Sequence, residues 1–252
     1  FVDVYHRAGD TSDMNMGHDF AALFPAAGVG TRFGAADKLL MPLRGATVIQ
    51  TAVALFARRA ELGPIIIVTG AERIAAYQSH LAEVVNSSRL HVIAGGRERW
   101  ESVLFGLRHL ASLADAPPFV AVHDAARPFT PAAVIDAAFA AARSRDAALP
   151  CIPEPATLKR RAADGSVAET LDRRGLFQAQ TPQCFRLTRL LEGYEALVAT
   201  ERFADLTDDA QVFERMAWPV SMTPGAAENL KITTAGDAAL AQALASLSHA
   251  GG

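Results

Sequence analysis

Short apolar runs recur along the chain, separated by stretches whose apolar residues repeat at helical spacing. Ala21 to Phe24, Ile65 to Val68, His91 to Ile93, Phe119 to Val122 and Ala147 to Ile152 have the length and composition of buried strands. Val48 to Arg59, Ile74 to Val85, Trp100 to Leu110 and Pro131 to Arg143 read as helices between them. Pro131 suits a first helical turn, and Thr130 before it is the expected N-cap. Strands alternating with helices predict an α/β fold: a Rossmann-like, mostly parallel sheet with helices on both faces. Ligands of such sheets bind at the C-terminal strand ends, where Gly28 and Asp124 both fall.

The rhythm breaks from Pro153 to Gln180. This segment is rich in charge, and Asp164-Gly165 marks a turn between the short alternating runs Thr157 to Arg161 and Val167 to Leu171. It predicts a projecting β-hairpin arm. A lone hairpin is marginal in water, so a second subunit is the expected support, giving a homodimer through the arm. Gly236 to Leu247 reads as a closing helix. The expected organisation is therefore a leader over 1–18, one domain formed by 19–152 and 181–252, and the arm over 153–180.

Charge and cysteine content narrow the classes. The net charge of −3 offers no basic excess for a nucleic-acid backbone, and the basic residues sit in a few short segments, which fits a small anionic ligand. Cys151 and Cys184 form no metal-ligand or redox spacing and are expected to be buried or incidental in a reducing cytoplasm. No apolar run reaches the ~18 residues of a membrane span. Phe1 to His18 is polar and aperiodic, without a secretory core, and reads as a disordered leader.

The candidate chemistry starts right after the first strand, at Pro25-Ala26-Ala27-Gly28-Val29-Gly30-Thr31-Arg32 with Lys38 close behind. Small residues and two glycines expose backbone N–H groups, and Arg32 and Lys38 add positive charge, as holding a polyphosphate requires. A dinucleotide fingerprint would need glycine where Phe33 stands, and a Walker A loop would need Ser or Thr after Lys38, where Leu39 stands. On its own the loop also fits a plain strand-to-helix turn. Gly95-Gly96-Arg97-Glu98-Arg99-Trp100-Glu101-Ser102 follows the third strand and either reads a flat polar base with backbone groups and the Ser102 hydroxyl, or is an ordinary β-to-α turn. His123-Asp124-Ala125-Ala126-Arg127-Pro128 closes the fourth strand. Asp124 there suits a ribose or a magnesium-bound phosphate, Arg127 can fork onto a phosphate or carboxylate, and strand alternation turns His123 inward. Thr157 with Lys159 and Arg160, Asp172-Arg173, Thr207-Asp208-Asp209 and a strand-like Glu228 to Thr233 carrying Lys231 add further polar groups.

Taken in order, these motifs, with Gln180-Thr181-Pro182-Gln183, closely resemble the 2-C-methyl-D-erythritol 4-phosphate cytidylyltransferases, from about Phe20 to Leu244. The resemblance implies transfer of a cytidylyl group from CTP to methylerythritol phosphate with a divalent cation, magnesium. It implies that Ala26, Ala27, Gly28 and Gly30 line the CTP site, with Arg32 and Lys38 on the triphosphate and Lys231 completing the cationic cradle. Gly96, Arg99 and Ser102 would help select cytosine, and Asp124 would sit between nucleotide and acceptor. Arg173 and Thr207 would hold the acceptor, with Thr157 and Arg127 contributing, and Arg173, Thr157 and Arg127 would serve the neighbouring subunit's site. Three positions depart from the family pattern. Asp37 stands where proline is common and would partly offset the charge of Lys38, Arg97 stands where Asp is common, and Ala156 replaces an Asp before Thr157. A cytidylyltransferase for another alditol phosphate, such as ribitol 5-phosphate, and a nucleotide-binding module without catalysis are the competing readings.

Overall fold

The computed structural model describes residues 18–28, 37–43, 45–201, 203 and 206–247. The leader expected over 1–18 lies, apart from His18, outside the described residues, as do Gly30 and Arg32. Strands β1 (Phe20–Pro25), β4 (Leu62–Thr69), β5 (Leu90–Ala94) and β6 (Phe119–Val122) pair in parallel in the order β5-β4-β1-β6. Beyond β6 the antiparallel strand β11 (Gln183–Arg186) links it to β7 (Ala147–Pro153), which pairs further with β10 (Phe177–Ala179) and β12 (Ser221–Pro224). Two short strands, β2 (Pro42–Leu43) and β3 (Ala46–Thr47), form a separate ribbon.

Period-two alternation assigns each strand residue to a face. Phe20, Ala22 and Phe24 pack into one core with α1 (Val48–Ala57), α2 (Ile74–Leu81), α4 (Ala132–Arg145) and α7 (Ala235–Leu247). Ala21 and Leu23 face a second core under α3 (Arg99–Ala111), α5 (Leu187–Ala199) and α6 (Ala210–Arg215). Being covered on both sides explains why β1, β4 and β6 read as continuous apolar runs. Chain order reverses at β1, whose neighbours are β4 on one side and β6 on the other, so a crevice opens at the C-terminal ends of these strands.

The arm forms as expected around Asp164-Gly165: β8 (Lys159–Arg161) pairs antiparallel with β9 (Val167–Thr170), and every residue of both is exposed. Two local expectations fail. Thr130 is not the N-cap of α4; Pro131 occupies that position without a side-chain cap, because the Thr130 hydroxyl donates instead to Asn229 Oδ1 at 2.8 Å. Glu228 to Thr233 is not a strand. It lies across the turn after β6, with Ile232 N–H donating to Ala126 O (2.9 Å), so its backbone groups are satisfied by a loop rather than a ladder.

His123 is inward-facing, as alternation predicts, and fully buried against Phe24 and Phe56. Its Nε2 lies 3.2 Å from Arg127 O, so that nitrogen carries the proton, and Nδ1 accepts from the Thr181 hydroxyl at 3.0 Å. Thr181 Oγ1 in turn accepts from Asp124 N–H at 3.1 Å. A second proton has no place in this chain of bonds, and burial lowers the imidazole pKa to about 4. Between the ordinary value near 6.5 and that value, the unfolded chain binds a proton that the folded chain refuses. The contribution of His123 is therefore complete above about pH 6.5 and lost as pH falls to 4, on the order of 3 kcal/mol. Urea unfolding of the native protein at pH 7, 5.5 and 4.5 should show this decline, and His123→Asn should flatten it. An equally steep decline in the variant would place the acid sensitivity elsewhere.

Candidate active site

The crevice is built first from the end of β1. Ala26 N–H donates to Val68 O (2.7 Å), extending the β1–β4 ladder one residue before the chain leaves at Ala27 and Gly28. Across from it, Gly95 lies so close that a Cβ there would sit 2.7 Å from both Ala27 Cβ and Ser102 Oγ, which accounts for the first glycine of Gly95-Gly96. A Cβ on Gly96 would collide with Glu101 Cβ at 2.3 Å. The Glu101 carboxylate accepts from the backbone N–H groups of Arg97 (2.6 Å) and Glu98 (3.1 Å), starting α3. Lys38 enters from the other side, at the start of the 3₁₀ turn Lys38–Leu40.

Asp124, at the end of β6, is the centre of the charge arrangement. Lys231 Nζ is 3.0 Å from its Oδ2, and Arg127 Nε is 3.2 Å from the same oxygen. Burial alone would push this carboxyl up, but Lys231, then Arg99 and Arg127, hold it well below the usual carboxylate range. Lys231 is brought here by the irregular 229–232 segment. Arg127 donates to Asn229 O (2.6 Å), and buried Asn229 donates through Nδ2 to Thr181 O (2.8 Å) and Gln180 Oε1 (3.2 Å). Lys38 Nζ donates to Ile232 O at 3.0 Å, which ties Lys38 to the segment that carries Lys231. Burial, and next the repulsion of Lys231, lower the Lys38 pKa.

Two adjoining cavities share Arg99, Asp124 and Lys231. The first is also lined by Ala26, Ala27, Gly28, Lys38, Arg97 and Ser102; the second by Arg127, Gln180, Gln183, Thr207 and Asp208. Arg99 stands between them, forked onto Asp209 with bonds of 3.1 and 2.6 Å. Asp209 is fully buried and also accepts from the Tyr194 hydroxyl at 2.6 Å. Gln183 Oε1 accepts from the backbone N–H groups of Asp209 and Ala210 (3.0 and 2.9 Å), while its Nε2 donates to Asp208 (3.0 Å), which fixes the Thr207–Asp209 turn against β11.

Of the residues singled out by sequence, the structure brings Ala26, Ala27, Gly28, Lys38, Arg99, Ser102, Asp124, Arg127, Thr207 and Lys231 around the two cavities. Three carry other duties than expected. The Gly96 N–H donates to Ser102 Oγ (3.2 Å) and Gly96 is not part of the lining, Ser102 donates to Glu98 O (3.2 Å), and the Arg127 guanidinium is committed to its own chain's Asp124 and Asn229. Arg127 lines the second cavity of its own chain. Thr157 and Arg173 are exposed on the arm and line neither cavity; Arg173 donates to Pro155 O. Asp37 does not neutralise Lys38 by contact. Its Oδ1 accepts from Leu39 N–H (3.0 Å) and its Oδ2 from the Tyr77 hydroxyl (2.7 Å). Asn229, Gln183 and Asp209 were passed over as site residues, although the motifs containing them stood out, because each acts through partners distant in sequence. Burial pushes the Cys151 thiol up to about 11 and raises that of Cys184 too, so neither is an available nucleophile.

Removing the Asp209 carboxylate should strand the Arg99 guanidinium and the Tyr194 hydroxyl together. Asp209→Ala is expected to cost about 3 kcal/mol or more in urea unfolding, with Asp209→Asn less damaging. A loss under about 1 kcal/mol would mean that water already satisfies Arg99.

Comparison with known proteins agrees with this geometry. The model of the IspD family, 2-C-methyl-D-erythritol 4-phosphate cytidylyltransferase, matches residues 20–246. The 2-C-methyl-D-erythritol 4-phosphate cytidylyltransferase of Rhodopirellula baltica is 35% identical over 240 residues, spanning 92% of this chain and 96% of the relative. The bifunctional enzyme IspD/IspF of Agrobacterium fabrum is 36% identical over 92% of this chain but only 57% of its own length. The solved structure of 4-diphosphocytidyl-2C-methyl-D-erythritol synthase from Anaerococcus prevotii superimposes with a TM-score of 0.76 at 26% identity, over 90% of this chain and 98% of that one. With its motifs, its fold and nearly its whole described length matched, the chain belongs to the 2-C-methyl-D-erythritol 4-phosphate cytidylyltransferase family.

Proposed function

We infer that this protein transfers the cytidylyl group of CTP to 2-C-methyl-D-erythritol 4-phosphate, giving 4-diphosphocytidyl-2-C-methyl-D-erythritol and pyrophosphate. Family membership supports the reaction, and one observation supports its location. Lys38 and Lys231 converge on the crevice at the end of β1, and two cavities meet there at Asp124. A phosphate oxygen of the acceptor attacks the α-phosphorus, and the bond to the β-phosphate breaks with its electron pair leaving on pyrophosphate. The nucleophile is already anionic, so no general base is needed. The barrier lies in bringing two anions together and holding the charge that spreads over the transferring group. Lys38 would face the triphosphate beside the backbone of Ala27 and Gly28. Lys231, 42% exposed where Asp124 is buried, would swing onto the reacting phosphate while Arg127 keeps Asp124 paired. Arg99 and Thr207 border the acceptor side.

Magnesium is proposed on the triphosphate. Among the described residues no group of three or more His, Cys, Asp or Glu converges, but a nucleotide-borne magnesium takes most of its ligands from phosphate and water, and Asp124 suffices as the protein carboxylate. The ion would supply charge neutralisation of the polyphosphate. Thr157 and Arg173, exposed on an arm that also exposes Val167, Leu176 and Phe177, are proposed to complete the acceptor site of a partner in a homodimer. No helix among the described residues is long and apolar enough to cross a membrane, and the two free, buried cysteines suit the reducing cytoplasm we propose for it. The reading as a non-catalytic module rests on the altered surroundings of Lys38; of these, the Asp37 carboxylate is engaged by Leu39 N–H and the Tyr77 hydroxyl, which favours the enzymatic reading.

Pyrophosphate release with CTP and magnesium tests the reaction directly. Methylerythritol 4-phosphate should be strongly preferred over ribitol 5-phosphate; the reverse preference keeps the chemistry and changes the acceptor, and no release with either sinks the enzymatic reading. Lys38→Ala and Lys231→Ala should each lower kcat by about 10²-fold or more, as losses of an electrostatic stabiliser. Because the Lys38 pKa is lowered, kcat/KM for CTP should fall on the alkaline side earlier than an ordinary lysine near 10.4 would dictate. Lys38→Arg should push that limb to higher pH, and an unmoved limb would assign it to another group.

A further inference from the structure

Both ends of the chain that frames the nucleotide cavity are tied to one side chain outside it. Arg73, in the 3₁₀ turn Ala71–Arg73 that follows β4, donates through Nη2 to Ala27 O at 2.8 Å. Its Nη1 lies 3.6 Å from Asp37 Oδ2, the oxygen that accepts from the Tyr77 hydroxyl at 2.7 Å. Tyr77 is fully buried in α2, and Arg73 and Asp37 are each only 18% exposed in their side chains. Ala27 precedes Gly28 in the cavity wall and Asp37 precedes Lys38, yet none of Arg73, Asp37 and Tyr77 lines the cavity. The three lie behind the groups that do.

We propose that Arg73, Asp37 and Tyr77 form a clamp that positions the Gly28 amide and the Lys38 ammonium for the triphosphate. This rests on the proposed use of CTP. The peptide joining Ala27 and Gly28 is planar and trans, so its C=O and N–H point in opposite directions. Holding Ala27 O on Arg73 turns the Gly28 N–H away from Arg73, toward the cavity that Ala27 and Gly28 line. At the other end, Asp37 Oδ1 accepts from Leu39 N–H (3.0 Å) and so caps the 3₁₀ turn that begins at Lys38. Asp37 Oδ2 accepts from Tyr77 with Arg73 beside it, and the Lys38 ammonium donates to Ile232 O. The guanidinium thus sets the spacing between a backbone donor and a cation that must grip the same polyphosphate. A side chain that bonds Ala27 O and the neighbouring Glu72 carboxylate while standing 3.6 Å from Asp37 is a task for arginine rather than lysine.

The clamp and simple charge damping predict opposite signs. If Asp37 only weakened Lys38, Asp37→Asn would tighten CTP binding; as part of a clamp, its loss loosens it. We expect Asp37→Asn and Arg73→Lys each to raise the CTP dissociation constant, measured by calorimetry with magnesium present, by about 10-fold. The double variant should be little worse than either single one, the mark of residues acting as a unit. In turnover assays kcat/KM for CTP should fall while KM for the acceptor stays within about twofold, and added guanidinium ion should partly restore Arg73→Ala. Tighter CTP binding in Asp37→Asn overturns the clamp. So does unchanged binding in variants that are merely less stable to urea, which would leave the three residues a role in folding alone. If the native chain binds no CTP, the functional reading falls and the clamp with it; if the native chain binds CTP and the variants bind it equally well, the clamp alone falls.

Discussion

The site depends on keeping one buried carboxylate ionised. Asp124 is 8% exposed, and a charge so placed is tolerated only when cations and hydrogen bonds replace the water it has lost. Its cations come from the next turn (Arg127), from the far end of the chain (Lys231) and from the start of α3 (Arg99). The segment carrying Lys231 has no regular structure, and what holds it is the set of bonds around this charge: Lys231 to Asp124, Arg127 to Asn229 O, and Ile232 N–H to Ala126 O. Satisfying Asp124 therefore also closes the wall of the ligand cavity. The same arrangement compensates the cations of the site, since Asp124 balances Lys231 and Asp209 balances Arg99. An entering polyphosphate can exchange with Asp124 for Lys231 without exposing Asp124, because Arg127 remains on it.

Burial divides the labour among the cations. Arg99 is joined to a fully buried acid by two bonds and cannot leave it without stranding that acid, which suits a fixed wall between two cavities. Lys231 is the more exposed partner of its pair and keeps the freedom of a flexible stem. Lys38 is half-buried and donates to Ile232 O. A rigid arginine and two mobile lysines fit a reaction in which the binding walls stay put while charge migrates from the α-phosphate to the departing pyrophosphate.

The parallel part of the fold was legible because its signals are local. The all-apolar runs Ala21 to Phe24 and Ile65 to Val68 specify strands buried on both faces, and Asp164-Gly165 specifies the arm's turn. From Thr181 to Thr234 the reading thinned out. β11 is four residues long and wedged antiparallel between β6 and β7, α6 has six residues, and neither length nor period distinguishes such pieces from loop. Glu228 to Thr233 mimics a strand by alternating Leu230 and Ile232 with Asn229 and Lys231, but the residues buried are Asn229 and Ile232, three apart, because a loop rather than a ladder holds the segment. Thr130 has the chemistry of a cap, and a competing acceptor 99 positions away, Asn229 Oδ1, takes its hydroxyl. The residues that line the cavities were mostly found from sequence, whereas those that orient them, Asp209, Gln183, Asn229 and Arg73, were not. Orientation is a property of pairs, and a spacing rule sees one member at a time.

Asp37 shows how such a pair changes the meaning of a residue. Read alone, an acid next to a phosphate-binding lysine subtracts from the charge that lysine offers. In the folded chain the Tyr77 hydroxyl, delivered from the buried face of α2, and the amide of Leu39 occupy the carboxylate, and Arg73 stands beside it. A proline at this position would restrict the backbone in the unfolded and folded states alike and would need no partner. An aspartate restrains it only in the folded state, and only if α2 supplies the hydroxyl and the turn after β4 supplies the cation. In the proposed clamp the restraint on Lys38 lies in the tertiary structure, in the packing of α2 against α1 and the bond from Arg73 to Ala27 O. An altered residue at a binding loop is then judged by whether its partners are present, and here all of them are.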